Sequence, residues 1–141
     1  MSSDKRELIE AARSVVGKFN LQLDFTAGAV AAALRTVDGN IYTGICIDIT
    51  CGLGFCAEVS AIAQMLIKRE TQIIQIVAVG KTIILPPCGR CRETIAQVDG
   101  RNLDCQVIVS DNEEVPLREL LPRHWLDSKK LVSNRSPGTS S

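Results

Sequence analysis

The chain is short of several residue types, and each shortage argues against a class of function. Only 4% of its 141 residues are aromatic, it has a single histidine, and 16 basic residues balance 16 acidic ones, so the formal net charge is zero. Nucleic-acid surfaces usually carry a basic patch, so we expect no nucleic-acid partner. With His124 as the lone histidine, any transition-metal site must be rich in thiolate.

Long hydrophobic runs are also missing. The most apolar helix pattern is closed by Lys68, Arg69 and Glu70, before it reaches the roughly 18 residues that a bilayer span needs. The first ten residues, MSSDKRELIE, lack the apolar centre of a signal peptide. We therefore expect no membrane partner and a cytoplasmic location.

A chain of 141 residues has the length of one domain and is long enough to form a stable hydrophobic core without disulfide bonds. We predict a single domain over residues 1–132. The remaining residues, 133–141, read SNRSPGTSS and have the composition of a frayed end.

Helical and strand-like patterns alternate along the chain. Apolar residues at helical spacing predict a helix from Asp4 to Phe19, and two short apolar runs flank Asp38-Gly39-Asn40, which is a hairpin signal. The later segments are a helix over 56–69, a strand over 73–79, a helix over 88–98, a strand over 106–109 and a short helix over 116–121. This order predicts an α/β fold, a three-layer α/β/α sandwich whose mixed sheet has about five strands.

The helix over 56–69 combines a core-like pattern with polar chemistry. We expect its buried stripe to consist of Val59, Ile62, Ala63, Leu66 and Ile67. Yet it opens with the thiol of Cys56 and the carboxylate of Glu58, and an unpaired ionised carboxylate is costly to bury. These two residues therefore call for a functional explanation.

Six cysteines in a chain with no export signal point to metal binding or catalysis rather than to disulfides. Cys88 and Cys91 lie in or beside a first helical turn, and Cys56 lies at the other junction of a loop and a helix. A helix N-terminus stabilises a thiolate, and a catalytic zinc takes three protein ligands, so that water can fill the fourth position. We predict one Zn²⁺ per chain, bound by Cys56, Cys88 and Cys91.

Charged residues beside these cysteines complete the predicted site. Glu58 is two residues from Cys56, close enough to act as a general acid and base without being a ligand. Three thiolates leave the site net negative, and Arg90 or Arg92 could hydrogen-bond a sulfur and draw off charge.

The segment Cys56-Ala-Glu58, followed by Pro87-Cys-Gly-Arg-Cys91, resembles the zinc-dependent cytidine deaminases, and the likeness runs from about Ala29 to Trp125. It implies deamination of the 4-amino group of a free cytosine nucleoside by a zinc-activated water, with Glu58 moving protons and ammonia leaving. It also implies a homotetramer whose sites borrow residues across interfaces. The segments 80–86, 88–92 and 118–122 are similar to those of deaminases of the blasticidin S type.

The resemblance also marks candidate substrate contacts. In the nucleoside enzymes an Asn and a Glu of the second strand hold the ribose, and here those positions read Cys46 and Asp48. Trp125 matches an aromatic that stacks over the base, Phe25 lies near the position of another family aromatic, and Ala57 falls between Cys56 and the predicted base.

Three alternatives stay open at this point. The altered second strand could serve a different aminated heterocycle, such as blasticidin S. A non-enzymatic zinc module would have Cys46 or Cys51 as a fourth ligand. A thiol redox protein would use the Cys88–Cys91 pair and leave Glu58 without a role.

Overall fold

The structure, a computed structural model, describes residues 3–128. The predicted tail, residues 133–141, lies outside the described residues, and so does the end of the predicted domain. Within them, no helix is both long and apolar enough to cross a membrane.

Four α-helices and seven strands follow one another along the described part of the chain. In order they are α1 Ser3–Arg13, β1 Phe19–Asn20, β2 Thr26–Thr36, β3 Ile41–Asp48, α2 Ala57–Ile67, β4 Ile73–Val79, β5 Ile84–Leu85, α3 Gly89–Val98, a 3-10 helix Gly100–Asp104, β6 Gln106–Ser110, β7 Glu113–Pro116 and α4 Leu117–Leu120. Residues 125–128 are also helical.

All seven strands form one mixed sheet. β2 pairs antiparallel with β3 and with β4, β4 pairs parallel with β6, and β6 pairs antiparallel with β7. The two-residue strands β1 and β5 extend β2 and β4. The five strands of four or more residues confirm the prediction of a mixed sheet of about five strands.

Helices cover both faces of the sheet, which gives the predicted three layers. On one face, Leu8, Ile9 and Ala12 of α1 pack against residues of β2, β4 and β6. On the other, α2 and α3 bury Ala61, Met65, Ile95 and their neighbours in a second apolar cluster. Because β4 is covered on both faces, its run IIQIVAV is apolar nearly throughout.

Two details of the predicted helices are wrong. The first helix ends at Arg13, and Phe19 instead begins β1. In α2 the buried residues are Ala57, Glu58, Ala61, Ile62 and Met65, so only Ile62 of the predicted stripe faces the core. The cause is the close approach of α2 to β3: a Cβ at Gly44 would lie 2.3 Å from the backbone nitrogen of Ala61, so small residues line this contact.

Candidate active site

The directions of β3 and β4 bring two distant helix N-termini together. Both strands are antiparallel to β2, so they point the same way, and the loops that follow them emerge at the same end of the sheet. One loop leads into α2 and the other into α3, with Cys56 and Cys88 as the respective N-cap residues. The sulfurs of these two cysteines lie 3.5 Å apart.

Backbone hydrogen bonds fix the loop that carries Cys56. The amide of Ile47 donates to the carbonyl of Phe55 at 3.0 Å, and the amide of Phe55 donates back to Ile47 at 3.1 Å. Gly54 lies against this pair, where a Cβ would come within 2.3 Å of the Ile47 carbonyl oxygen. The loop therefore needs glycine at 54, and the position of Cys56 follows from the backbone.

The three predicted cysteine ligands form one compact group. Their sulfurs lie within 4.8 Å of one another, and the contact between Cys88 and Cys91 measures 3.6 Å. In a tetrahedral zinc site with Zn–S bonds of about 2.3 Å, ligand sulfurs are about 3.8 Å apart. The group therefore fits one zinc ion. Cys91 is fully buried, whereas Cys56 and Cys88 line a cavity, so the site opens on that side.

The acidities of the thiols show why the group suits a cation. Burial, and next the charge of Glu58, raises the pKa of Cys91 far above its usual range. Burial and the contact with Cys88 also raise the pKa of Cys56. Burial acts the same way on Cys88, but hydrogen bonds from the Cys91 and Arg90 amides and from the neighbouring thiols outweigh it and lower its pKa. Three thiolates at this spacing thus need a cation to replace their protons.

Glu58 lies beside the thiols and is almost completely buried, with 4% exposure. Burial raises the pKa of its carboxyl, and hydrogen bonds from its own backbone amide and from the Cys91 thiol only partly offset this. The residue is the second of α2, near the positive end of the helix dipole. A buried carboxyl with a raised pKa, next to a metal-binding group, is suited to gaining and losing a proton during a reaction.

A cavity of about 490 Å³ opens over this group. Seven of the predicted site residues line it: Cys46, Asp48, Cys56, Ala57, Glu58, Cys88 and Arg90. The size is within the range of small-molecule sites, and the walls are mainly apolar. Cys91 is fully buried and is not among the described residues that line the cavity.

Cys46 and Asp48 are linked to each other in the wall of the cavity. The thiol of Cys46 donates to Asp48 Oδ2 at 3.5 Å and accepts the backbone amide of Val30 at 3.3 Å. Val30 lies where the register of β2 on β3 shifts between Ala27 and Ala31, so its amide bonds the sulfur. Cys46 therefore supports this bulge as well as lining the cavity.

The two predicted aromatic contacts lie elsewhere. Phe25 lines a neighbouring cleft of about 420 Å³, which shares Asp48 and Ile49 with the cavity. Trp125 is 56% exposed and is not among the described residues that line the cavity; its amide donates to Glu93 Oε1 at 3.1 Å. Phe25 thus lines a cleft next to the cavity, and substrate contacts by Phe25 and Trp125 stay predictions.

Both arginines near the cysteines donate to carbonyl oxygens. Arg90 Nη1 lies 3.5 Å from the Gly54 oxygen, and Arg92 donates to Pro87 and Leu120 at 2.8 and 3.0 Å. Among the described residues neither guanidinium donates to a sulfur of the group. Charge compensation at the sulfurs stays a prediction.

The sequence did not predict which apolar residues line the cavity. These include Val30, Ala78, Leu85 and Pro86, which come from β2, β4, β5 and the following loop. Ala78, Leu85 and Pro86 lie near the end of β4 or in the segment that leads from it to α3, and that location is the signal that could have found them.

Known proteins resemble this chain over most of its length. The cytidine deaminase of Halalkalibacterium halodurans is 28% identical over 123 residues, which cover 84% of this chain and 92% of that protein. The cytidine deaminase of Mycobacterium tuberculosis is 31% identical over 77 residues, 53% of this chain and 58% of that protein. The crystal structure of cytidine deaminase from Burkholderia pseudomallei superposes with a TM-score of 0.69 at 28% identity, covering 89% of this chain and all of that one. No protein-family model matches the chain.

An α/β/α sandwich with three thiols and a buried carboxyl at two converging helix N-termini fits a zinc-dependent hydrolase whose metal is held by cysteines. The matches in sequence and fold point to one group of enzymes within this class. The chain is similar to cytidine deaminases in sequence and in fold.

Proposed function

We propose that the protein is a zinc-dependent hydrolase that replaces the 4-amino group of a free cytosine nucleoside by a carbonyl and releases ammonia. One observation carries this proposal: the buried carboxyl of Glu58 lies beside a three-thiol group, and both open on one small cavity. The names of the relatives, cytidine deaminases, point to the same substrate class.

The residues present divide the reaction among them. Cys56, Cys88 and Cys91 would hold one zinc ion. When bound, zinc lowers the pKa of a water so that it can act as the nucleophile at neutral pH. Glu58 would take one proton from the attacking water and donate it to the ring nitrogen next to the reacting carbon. It would then carry the second proton of that oxygen, now bound to the carbon, to the departing amino nitrogen, so that ammonia leaves and a carbonyl remains. The mainly apolar walls lower the local polarity, and this strengthens the electrostatic interactions inside.

The walls of the cavity favour a second candidate substrate within the same reaction. The amide and carboxylate that hold ribose in nucleoside enzymes are replaced by Cys46 and Asp48, and a thiol cannot copy the paired donor and acceptor of an amide. The cleft lined by Asp24 and Phe25 adjoins the cavity, because Asp48 and Ile49 line both. The cleft offers additional space and the carboxylates of Asp24 and Asp48 next to the position of the substrate's heterocycle. These features favour a larger aminated heterocycle with basic substituents, such as blasticidin S.

A substrate panel tests both candidates. The purified protein, checked for one zinc per chain, is incubated with cytidine, deoxycytidine, cytosine and blasticidin S, and kcat/KM is taken from ammonia release. We expect turnover of at least one of the first two, or of blasticidin S if the second candidate is right, and loss of turnover when a chelator removes zinc. Bound zinc without turnover on the whole panel would contradict the proposal and favour a zinc-binding module.

The geometry gives the non-enzymatic alternatives little support. The sulfur of Cys46 is engaged by Val30 and Asp48, and Cys51 is exposed, with its sulfur 3.7 Å from the hydroxyl of Thr50. Among the described residues, the group able to hold a metal contains three cysteines and no fourth. A redox protein would retain its thiol activity without metal, and it would give Glu58 no role.

We propose a homotetramer as the working assembly. Its support is the likeness to cytidine deaminases together with the apolar side chains that α2 leaves uncovered, Leu66 at 36% and Ile67 at 62% exposure. An assembly would cover them.

We also propose a cytoplasmic location. All six cysteines are free thiols, and the three-thiol group can bind metal only while it stays reduced.

A further inference from the structure

The side chain of Arg92 joins two parts of the chain that are distant in sequence. Its Nε donates to the carbonyl oxygen of Pro87 at 2.8 Å, and its Nη1 donates to the carbonyl oxygen of Leu120 at 3.0 Å. Both bonds are partly buried. One guanidinium therefore connects the loop before α3 with the end of α4.

Both carbonyls lie where secondary structure offers them no partner. Pro87 precedes Cys88, the N-cap of α3, and Leu120 is the last residue of α4, whose final carbonyls have no intrahelical donor. A buried carbonyl without a donor costs free energy comparable to a lost hydrogen bond. The planar fork of arginine can serve two acceptors in fixed directions, which the single ammonium of lysine cannot copy.

The first of these bonds acts next to a predicted metal ligand. The carbonyl of Pro87 belongs to the peptide bond that leads into Cys88, and Arg92 directly follows Cys91 on α3. The bond from Arg92 therefore fixes Cys88 relative to the helix that carries Cys91. The next residue, Glu93, accepts the amide of Trp125, so two successive residues of α3 hold the C-terminal segment in place.

We propose that Arg92 is a positioning residue for the metal site: it holds the Cys88 thiol at ligand distance from Cys91 through the carbonyls of Pro87 and Leu120. This role differs from charge compensation, for which the guanidinium would have to reach a sulfur. The inference rests on the proposed zinc site but not on the substrate. Measurements of zinc release and of the cobalt spectrum could therefore refute the role of Arg92 without refuting the proposed reaction.

Two substitutions separate the two roles. Arg92→Lys keeps the positive charge but loses the two-acceptor fork, whereas Arg92→Gln loses both. If Arg92 positions Cys88, both variants should release zinc to a chelator faster, by roughly 10–100-fold, as is typical when a group that orients a ligand is removed. The thiolate-to-metal bands of the cobalt-substituted protein should change in both, while the melting temperature of Arg92→Lys should fall little.

The matched control is Arg118→Lys. Arg118 also donates two guanidinium bonds, but to the exposed carboxylate of Asp104, at 2.9 and 2.6 Å. Its zinc release and cobalt spectrum should match the wild type. Wild-type metal behaviour of Arg92→Lys would overturn the proposal, in favour of charge compensation if Arg92→Gln still releases zinc faster. If Arg92→Gln does not fold, Arg92→Lys against Arg118→Lys still decides.

Discussion

Two glutamates lie at opposite ends of α2 in contrasting surroundings. Glu70, three residues beyond the helix, accepts hydrogen bonds from the hydroxyl of Thr36 at 2.7 Å, the amide of Asn40 at 3.1 Å and the hydroxyl of Tyr42. Those bonds, led by Tyr42 and Thr36, lower the pKa of its carboxyl. For Glu58 burial dominates and raises it.

The contrast separates a carboxylate that stabilises the fold from one that is available for chemistry. Hydrogen bonds to the charged form hold Glu70 ionised and join it to the β2–β3 hairpin. The two hydrogen bonds that Glu58 accepts do not offset its burial, which is costly for folding but lets its proton move. Stability and reactivity thus make opposite demands on the same type of side chain.

Replacing each of the two carboxyls by an amide should have the largest effects, and these effects should differ between Glu58 and Glu70. Glu58→Gln should lower kcat/KM by about 10²–10⁴, the usual contribution of a general acid and base, while zinc content and melting temperature are maintained. Glu70→Gln, the matched control at the other end of the helix, should keep kcat/KM and lower the melting temperature. Near-wild-type turnover of Glu58→Gln would refute its catalytic role.

The pH dependence of unfolding should show how much the ionised carboxylate of Glu70 contributes to stability. Because the folded-state pKa of Glu70 lies below the unfolded value of about 4.3, its contribution is present above that pH and is lost as pH falls through the folded value. The stability difference between wild type and Glu70→Gln should therefore be largest at neutral pH and shrink below about pH 4. Denaturant midpoints measured from acid to neutral pH check this; a constant difference would contradict it.

The smallest expected effect is spectroscopic. Tyr42 is the one tyrosine in the chain, so tyrosinate absorbance reports on it alone. The hydrogen bond to Glu70, and next burial, raises the pKa of Tyr42 to about 12. In Glu70→Gln the titration midpoint should move down towards the ordinary value of about 10, and in Glu58→Gln it should stay where it is. An unmoved midpoint in Glu70→Gln would show that the network does not form.

Local signals in the sequence were enough for the fold class and for the metal group. Alternating segments and the Asp38-Gly39 turn predict the layers, and cysteines at two helix starts predict a three-thiol site. The Glu70 network was not predictable, because it depends on how the end of α2 meets the β2–β3 hairpin. The link between Cys46 and Val30 depends on a register shift within β2, which leaves no mark in the pattern of apolar residues.

The prediction of which face of α2 is buried was wrong for a different reason. Ile67 and Leu66 looked like core residues by their chemistry, but the helix turns its small residues to β3, where Gly44 allows the backbones to approach. A helix with apolar residues on several sides has no unique inward face, so only its packing partners decide the direction.

The division of the three thiols between two loops has a consequence for biosynthesis. A ribosome adds Cys56 to the chain before Cys88 and Cys91, and in the folded protein the two helix starts meet where β2 pairs with both β3 and β4. No early fragment of the nascent chain can bind the metal with all three sulfurs. Metal binding by the complete group therefore requires synthesis of the chain at least as far as Cys91.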